Sequence, residues 1–501
     1  MRAVMNKKTT YLLFGILLIF SSVLFSQTLT PKEQLGKKLF FDKIASPDRQ
    51  SCASCHAPEV GFVGPIPGFN LHGAVYPGAV PERFGNRKPP SSAYAIFSPI
   101  FHFDTAESLF VGGNFWDGRA TGEILGNPAA DQAMGPFLNP VEQNNAAKVD
   151  VLMQVASSKY AWMWEPVWGE PISYSTPEEI EENYGRVALS IAAYEASEEV
   201  NPFSSKFDLY LQGLVQLTPQ EEWGMDLFND EEAGKCALCH ISEVGPNSEP
   251  PLFTDFTFDN LGTPKNPENP FYDMDQVFIN GQPINPLGDM WIDYGLGAFL
   301  ETHPNPEWAA MAPENMGKHK VPTLRNVDRR PGNGFTKAYL HNGVFKTLKE
   351  VVHFYNTRDV ATWPPPEVPA NVNTEELGNL GLTDAEEDAI VAFMATLSDG
   401  YKIKKSNHIS GFTESSARLK VQGPNPFNPS TVLSYYLPED TDIQLNVYNI
   451  TGERVAALYN GFMPSGEHQV TFNAGNLASG IYLVSLYTGK EISTVKLMLM
   501  K

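Results

Sequence analysis

The sequence predicts a mainly α-helical protein of two tandem units with long loops, followed by a small all-β sandwich. Three observations carry that expectation. A stretch near the N-terminus returns 188 residues later with its helix-start signals intact, each copy leads into a C-x-x-C-H motif, and past residue 420 helical spacing gives way to short alternating runs. The 501 residues leave room for about three domains. Hydrophobic residues make up 42%, enough to bury a core, and 40 Gly with 40 Pro predict much ordered loop between helices. A formal charge of −22, from 36 Lys and Arg against 58 Asp and Glu, argues against nucleic acid as a partner, because nothing would offset repulsion from the phosphates. It argues equally against docking on an anionic membrane, and it suits solubility and a basic protein partner.

Taken in order, the chain begins with a targeting segment. Arg2, Lys7 and Lys8 precede an apolar run from Tyr11 to Phe25, with Ser26 and Gln27 behind it. A basic start, an apolar centre and a small residue before the cut describe a secretory signal peptide over residues 1–26. The apolar run falls short of the ~20 residues that span a bilayer. Its removal takes away three basic residues and no acid, so the mature chain is more acidic still.

Leu29-Thr30-Pro31-Lys32-Glu33-Gln34-Leu35-Gly36 and Leu217-Thr218-Pro219-Gln220-Glu221-Glu222-Trp223-Gly224 are the two copies of the repeat. Each places Thr as an N-cap, Pro at the first helical position and acid in the first turn. Cysteines follow 23 and 19 residues after each leading Leu. Four Cys in an exported chain invite disulfides, but the spacing contradicts this. Cys52-Ala53-Ser54-Cys55-His56 and Cys236-Ala237-Leu238-Cys239-His240 are both the attachment signature of c-type haem. Two thiols add to the haem vinyl groups and the next residue offers an imidazole to iron. Every Cys is used, so two covalently bound haem c groups are expected, held by Cys52, Cys55 and His56 and by Cys236, Cys239 and His240. The units fall at 27–205 and 206–405 as cytochrome c-like domains, and Leu382–Leu397 has the capping Thr383 and apolar stripe of a closing helix.

Further motifs stand in order along residues 28–400: Leu35-Gly36-Lys37-Lys38-Leu39-Phe40, Phe115-Trp116-Asp117-Gly118-Arg119-Ala120, Gly135-Pro136-Phe137-Leu138-Asn139-Pro140-Val141-Glu142, Val321-Pro322-Thr323-Leu324-Arg325-Asn326 and His341-Asn342-Gly343. With the haem motifs they resemble the bacterial dihaem cytochrome c peroxidase family, which includes the tryptophan-tryptophylquinone maturation enzyme of methylamine dehydrogenase. The resemblance implies a peroxidatic N-terminal haem reducing hydrogen peroxide with electrons relayed from the C-terminal haem. It implies Trp116 as the bridge between them, and Glu142 as the distal acid–base, with Gln132 as a distal amide and Pro136 lining the same cavity. Gln143 stands where the family often has Met. Tyr355 lies 14 residues after His341, where ordinary peroxidases carry a Met ligand to the second haem and the maturation enzyme a Tyr. A phenolate stabilises oxidised iron, so this haem is expected to have a low potential or to support a high oxidation state. His353 competes with Tyr355 but points to a different helix face. His72 is the candidate for a switchable ligand on the first haem, with His102 as another; without one, that haem is open. The family's calcium site between the haem domains is in doubt, because Lys88 stands where an Asn is expected. Asn86 and carbonyls near Thr336 and Ala338 are the donors that remain.

Residues 406–420 have a polar linker composition. Val432–Leu437, Ile443–Tyr448, Val470–Phe472 and Ile481–Leu486 then read as strands of a sandwich over 421–501, with turns at Thr451-Gly452-Glu453 and Pro464-Ser465-Gly466. Pro424-Asn425-Pro426-Phe427-Asn428-Pro429, Val447–Glu453, Leu477–Tyr482 and the terminal Lys501 resemble the sorting domain of the type IX (Por) secretion system. That implies export through the periplasm to the outer-membrane surface or beyond. The expected partners are hydrogen peroxide, a reduced c-type cytochrome or other small electron-donor protein, and the secretion machinery; a homodimer is left open. Two other functions compete: an oxidase acting on a protein or organic substrate, favoured by Tyr355, and a non-enzymatic electron carrier, disfavoured by Trp116, Gln132 and Glu142.

Overall fold

A computed structural model describes residues 29–245, 249–332, 334–403, 417–449 and 453–501. The expected signal peptide and most of the expected linker lie outside the described residues. Six helices frame the two haem-motif units: α1 (Pro31–Phe41), α2 (Pro128–Leu138), α3 (Pro177–Glu195), α4 (Pro219–Asn229), α5 (Leu348–Thr357) and α6 (Asp384–Ala395). The capping read from sequence is present. Thr30 Oγ1 accepts from the Glu33 amide at 3.3 Å while Glu33 Oε2 accepts from the Thr30 amide at 2.6 Å, and Thr218 with Glu221 repeats the box at the start of α4.

The repeat continues into packing. A Cβ on Gly36 would stand 1.8 Å from the Ser190 carbonyl oxygen on α3, and one on Gly224 would stand 1.8 Å from that of Ala389 on α6. In both units the opening helix crosses the closing helix at backbone contact, which only glycine permits. Around these crossings lie two apolar cores, one with Leu35, Phe40, Phe137, Tyr184 and Ile191, the other with Phe207, Phe228, Phe253, Phe354 and Phe393. The units are joined by buried polar contacts. Tyr94 Oη donates to Asp399 Oδ2 at 2.8 Å, as does Asn326 Nδ2. Within the second unit, Arg325 is fully buried, with Nη1 at 2.8 and 2.7 Å from the two oxygens of Asp208 and Nε donating to the Pro251 carbonyl at 2.7 Å. The stretch between His240 and Val321 carries only short elements such as Gly295–Glu301 and reaches the first unit through Asp293.

The C-terminal sandwich has seven antiparallel strands among the described residues: β1 (Arg418–Val421), β2 (Ser430–Leu437), β3 (Thr441–Asn449), β4 (Arg454–Met463), β5 (Gly466–Asn473), β6 (Gly480–Tyr487) and β7 (Ile492–Leu499). One sheet has the order β4-β3-β6-β7 and the other β5-β2-β1. Strand β2 alternates strictly, burying Thr431, Leu433, Tyr435 and Leu437 against the facing sheet. The expected linker runs too far: β1 pairs Arg418 with Tyr436, so residues 418–420 already belong to the sandwich. Of the expected turn at 451–453, residues 451 and 452 lie outside the described residues. Among the described residues no helix is long and apolar enough to cross a membrane.

Candidate functional site

Each C-x-x-C-H motif forms a single helical turn at the wall of a cavity. The turn at Cys52–Cys55 closes with the His56 amide donating to the Cys52 carbonyl at 2.9 Å, and the His240 amide does the same to Cys236. His56 Nδ1 lies 3.2 Å from the Phe62 carbonyl and His240 Nδ1 lies 2.9 Å from that of Phe253. A carbonyl only accepts, so each Nδ1 donates to it, and that bond fixes the ring's orientation at the cavity wall. Burial lowers both imidazoles to about 4, which keeps them neutral. The same burial raises all four thiols, Cys55 and Cys236 to about 12, so none is poised as a thiolate. Free thiols paired with a pre-oriented imidazole at a cavity wall fit covalent haem on both motifs.

The first cavity, of about 220 Å³, is lined by Cys55, His56, Gln132 and Glu142, and a side chamber reaches Cys52 and Pro136. Gln132 projects from α2, and Glu142 from the turn that follows it. Asn139 Nδ2 donates to Glu142 Oε1 at 2.6 Å. Burial raises the Glu142 carboxyl, opposed by Arg119 and by the Asn139 hydrogen bond. Gln143 is buried beside it with Oε1 unpartnered, which makes this chamber more polar than a Met would.

The second cavity, of about 150 Å³, holds Cys236, Cys239, His240 and Tyr355 among Val351, Leu377 and Met394. Burial first, then the cysteine sulfurs, holds the Tyr355 phenol protonated well above its ordinary range. His353 is half exposed and its Nδ1 lies 2.9 Å from Glu387 Oε1, away from the cavity. Helix geometry thus separates the two candidates: two residues apart on α5, they occupy different faces.

Trp116, Lys320, Val321 and Pro322 line both cavities. Trp116 is 7% exposed, its Nε1 donates to the Lys88 carbonyl at 2.8 Å, and its own carbonyl accepts from the Lys320 amide at 2.8 Å. Asp117 next to it accepts from Arg87 and Arg119.

His72 is a correction. Its side chain is 65% exposed, with Nδ1 3.4 Å from Glu268, and it does not line the first cavity. His102 is exposed and bonds the Ile100 carbonyl. Among the described residues His56 is the one histidine at that cavity. Calcium is also without support: Asn70 Nδ2 donates to the Thr336 carbonyl, Asn269 Nδ2 to that of Asn86, and Lys88 is buried nearby.

Two features went unread in the sequence. Glu195, 3% exposed at the end of α3, lines the first cavity and its side chamber, and burial pushes its carboxyl up to about 8. Its signal was a carboxylate continuing the Tyr184, Ala188, Ile191 stripe. Asp293, His319 and His341 bring one donor atom each within 4.8 Å of the others. The two rings stack at 3.6 Å with 8° between their planes, so their in-plane lone pairs run side by side and do not converge. Arg87 already holds both oxygens of Asp293 at 2.6 Å. Within this cluster Asp293 is thus already engaged in an ion pair with Arg87.

The family model for di-haem cytochrome c peroxidases matches residues 30–216, and that for secretion-system C-terminal sorting domains matches residues 424–500. Methylamine utilization protein MauG of Paracoccus denitrificans is 33% identical over 380 residues, which cover 73% of this chain and 88% of that protein. Cytochrome-c peroxidase IdrP2 of Denitromonas iodatirespirans is 28% identical over 369 residues, covering 73% and 81%. The crystal structure of the diheme peroxidase BthA from Burkholderia thailandensis matches with a TM-score of 0.60 at 30% identity, covering 74% of this chain and 87% of that one.

Proposed function

The chain belongs to the di-haem cytochrome c peroxidase and MauG family of oxidoreductases and ends in a type IX sorting domain, and from that premise we propose that it is an exported peroxidase. It reduces hydrogen peroxide to two waters in the first cavity, with electrons relayed from the second. The observation that carries this reading is Glu142 and Gln132 lining one cavity with His56 while Trp116 walls both.

Covalent haem on the two motifs would supply the redox-active iron. The residues of the chain do the rest. Glu142, held by Asn139, takes the proton from the near oxygen of peroxide and returns it to the leaving oxygen. The Gln132 amide orients the peroxide, and Trp116 passes two electrons, one at a time. Two protons from solvent complete the balance. The acidic surface favours a basic electron donor such as a reduced cytochrome. Tyr355 at the second cavity favours a second reading, oxidation of a protein or organic substrate.

EPR and peroxide titration of the holo-protein, with steady-state turnover on a reduced cytochrome, separate these readings. One haem open to peroxide and turnover with the cytochrome support the peroxidase. Reaction with peroxide but turnover only on an organic or protein substrate supports the oxidase. Two closed haems inert to peroxide leave an electron carrier.

A further inference from the structure

Lys88 is 9% exposed, yet it has no carboxylate within ion-pair distance among the described residues. Its Nζ donates to the Pro89 carbonyl at 3.3 Å and stands 5.6 Å from the centre of the Trp116 ring. The same residue's carbonyl takes the indole N–H, and its amide donates to the His341 carbonyl at 2.9 Å. Lys88 therefore grips Trp116 from the backbone and sets an ammonium over its ring.

We propose that Lys88 is a positioning residue for electron passage, its ammonium governing how readily Trp116 gives up an electron. This rests on the reading of Trp116 as the bridge. With haem held by Cys52, Cys55 and His56 and by Cys236, Cys239 and His240, Trp116 would give one electron toward the first cavity and recover one from the second. A backbone carbonyl cannot take the Nε1 proton, so the ring that has lost an electron keeps that proton and is a cation. An ammonium attracts the neutral ring and repels the charged one. The charge on Lys88 thus makes each electron harder to remove.

The groups around Lys88 leave that charge in place. Arg87 is tied between Asp117 and Asp293. Lys337 donates to the carbonyls of Asn326 and Arg329, and Lys320 to Ser98 and the Gly113 carbonyl. His56 and His341 are neutral by burial, and His319 faces Asp293. Glu142 and Glu195 line the same cavity. Burial brings Lys88 itself down to about 8, so it is charged below that pH and neutral above it, and transfer should quicken as pH rises through it.

Stopped-flow measurement of second-haem oxidation after peroxide, on the holo-protein, tests this. Lys88→Met should speed the step by about tenfold and remove its dependence on pH between about 7 and 9. Lys88→Arg, which keeps its charge, should stay slow throughout, while the wild type accelerates. Trp116→Phe should slow the step, and adding Lys88→Met to it should change nothing more. If Trp116→Phe transfers at the wild-type rate, the bridge reading falls. If it slows but Lys88→Met matches the wild type, the role of Lys88 alone is overturned. Acceleration of Lys88→Arg at high pH would assign the titration to another group, such as Glu195, and would also overturn it. That comparison stands even where the Met variant fails to fold.

Discussion

Around Cys52 and around Cys236 the chain builds one frame twice. Each has a Thr-capped helix with Pro at its start, a glycine pressed against a carbonyl of the closing helix, and a histidine whose Nδ1 is tied to a Phe carbonyl. What fills the space opposite differs. The first cavity presents Glu142, Gln132 and Glu195; the second presents Tyr355 among Val351, Leu377 and Met394. The acids of the second cavity, Asp259 and Glu376, are both engaged by Asn373 Nδ2 at 2.7 Å. One repeated frame thus carries two different linings, because the helices set where each motif stands and the loops set what faces it.

The largest effect should come from the acid that distinguishes the two. Glu142→Gln should keep both haem spectra and slow O–O cleavage by ~10²–10⁴-fold in single-turnover peroxide reactions. Tyr355→Phe should instead alter the EPR and absorption of the second haem alone. A Tyr355 variant that slows cleavage as much as Glu142→Gln would break the division of roles.

Next comes the buried pair of the second unit. Arg325→Met leaves the buried Asp208 without its guanidinium partner, and should cost about 3–5 kcal/mol in thermal or denaturant unfolding. A loss confined to the second haem's environment would show that the units unfold separately.

Glu195 should give the first unit its own pH signature. Its carboxyl is raised by burial to about 8, so the folded state holds a proton that the unfolded state releases near the ordinary carboxylate range. Stability is then greatest at low pH and falls as pH rises toward about 8, by about 1.4 kcal/mol per unit while the two states differ by one proton. Glu195→Gln should gain on the wild type across that window in pH-dependent unfolding. Parallel curves for the two proteins would mean that the carboxyl is ionised in the fold.

The smallest effects test the sameness of the frames. Gly36→Ala and Gly224→Ala each place a methyl against a backbone carbonyl and should cost about 1–3 kcal/mol, by similar amounts, in the same unfolding assay. Markedly unequal costs would mean that one crossing relaxes and the other does not.

The legible parts of this protein were the local ones. Capping by Thr30 and Thr218 depends on residues three apart, haem attachment on five consecutive residues, and the strands of the sandwich on a period of two. Spacing along one helix was likewise enough to set Tyr355 and His353 on different faces. Contacts between distant segments were not legible. Arg87 meets Asp293 across 206 residues, Glu195 occupies an apolar stripe and still faces a cavity, and His72 sits in an expected region but turns outward to Glu268. Local signals come from backbone hydrogen bonding and periodicity, which a short segment settles by itself. Which side chains converge on a cavity depends on how helices and loops from both units pack, and that follows from burial summed over the whole molecule. The sequence by itself determined the two attachment motifs, the repeated helical frame and the appended sandwich. Only the tertiary structure decided that Glu195 faces the first cavity and that Lys88 stands over the Trp116 ring.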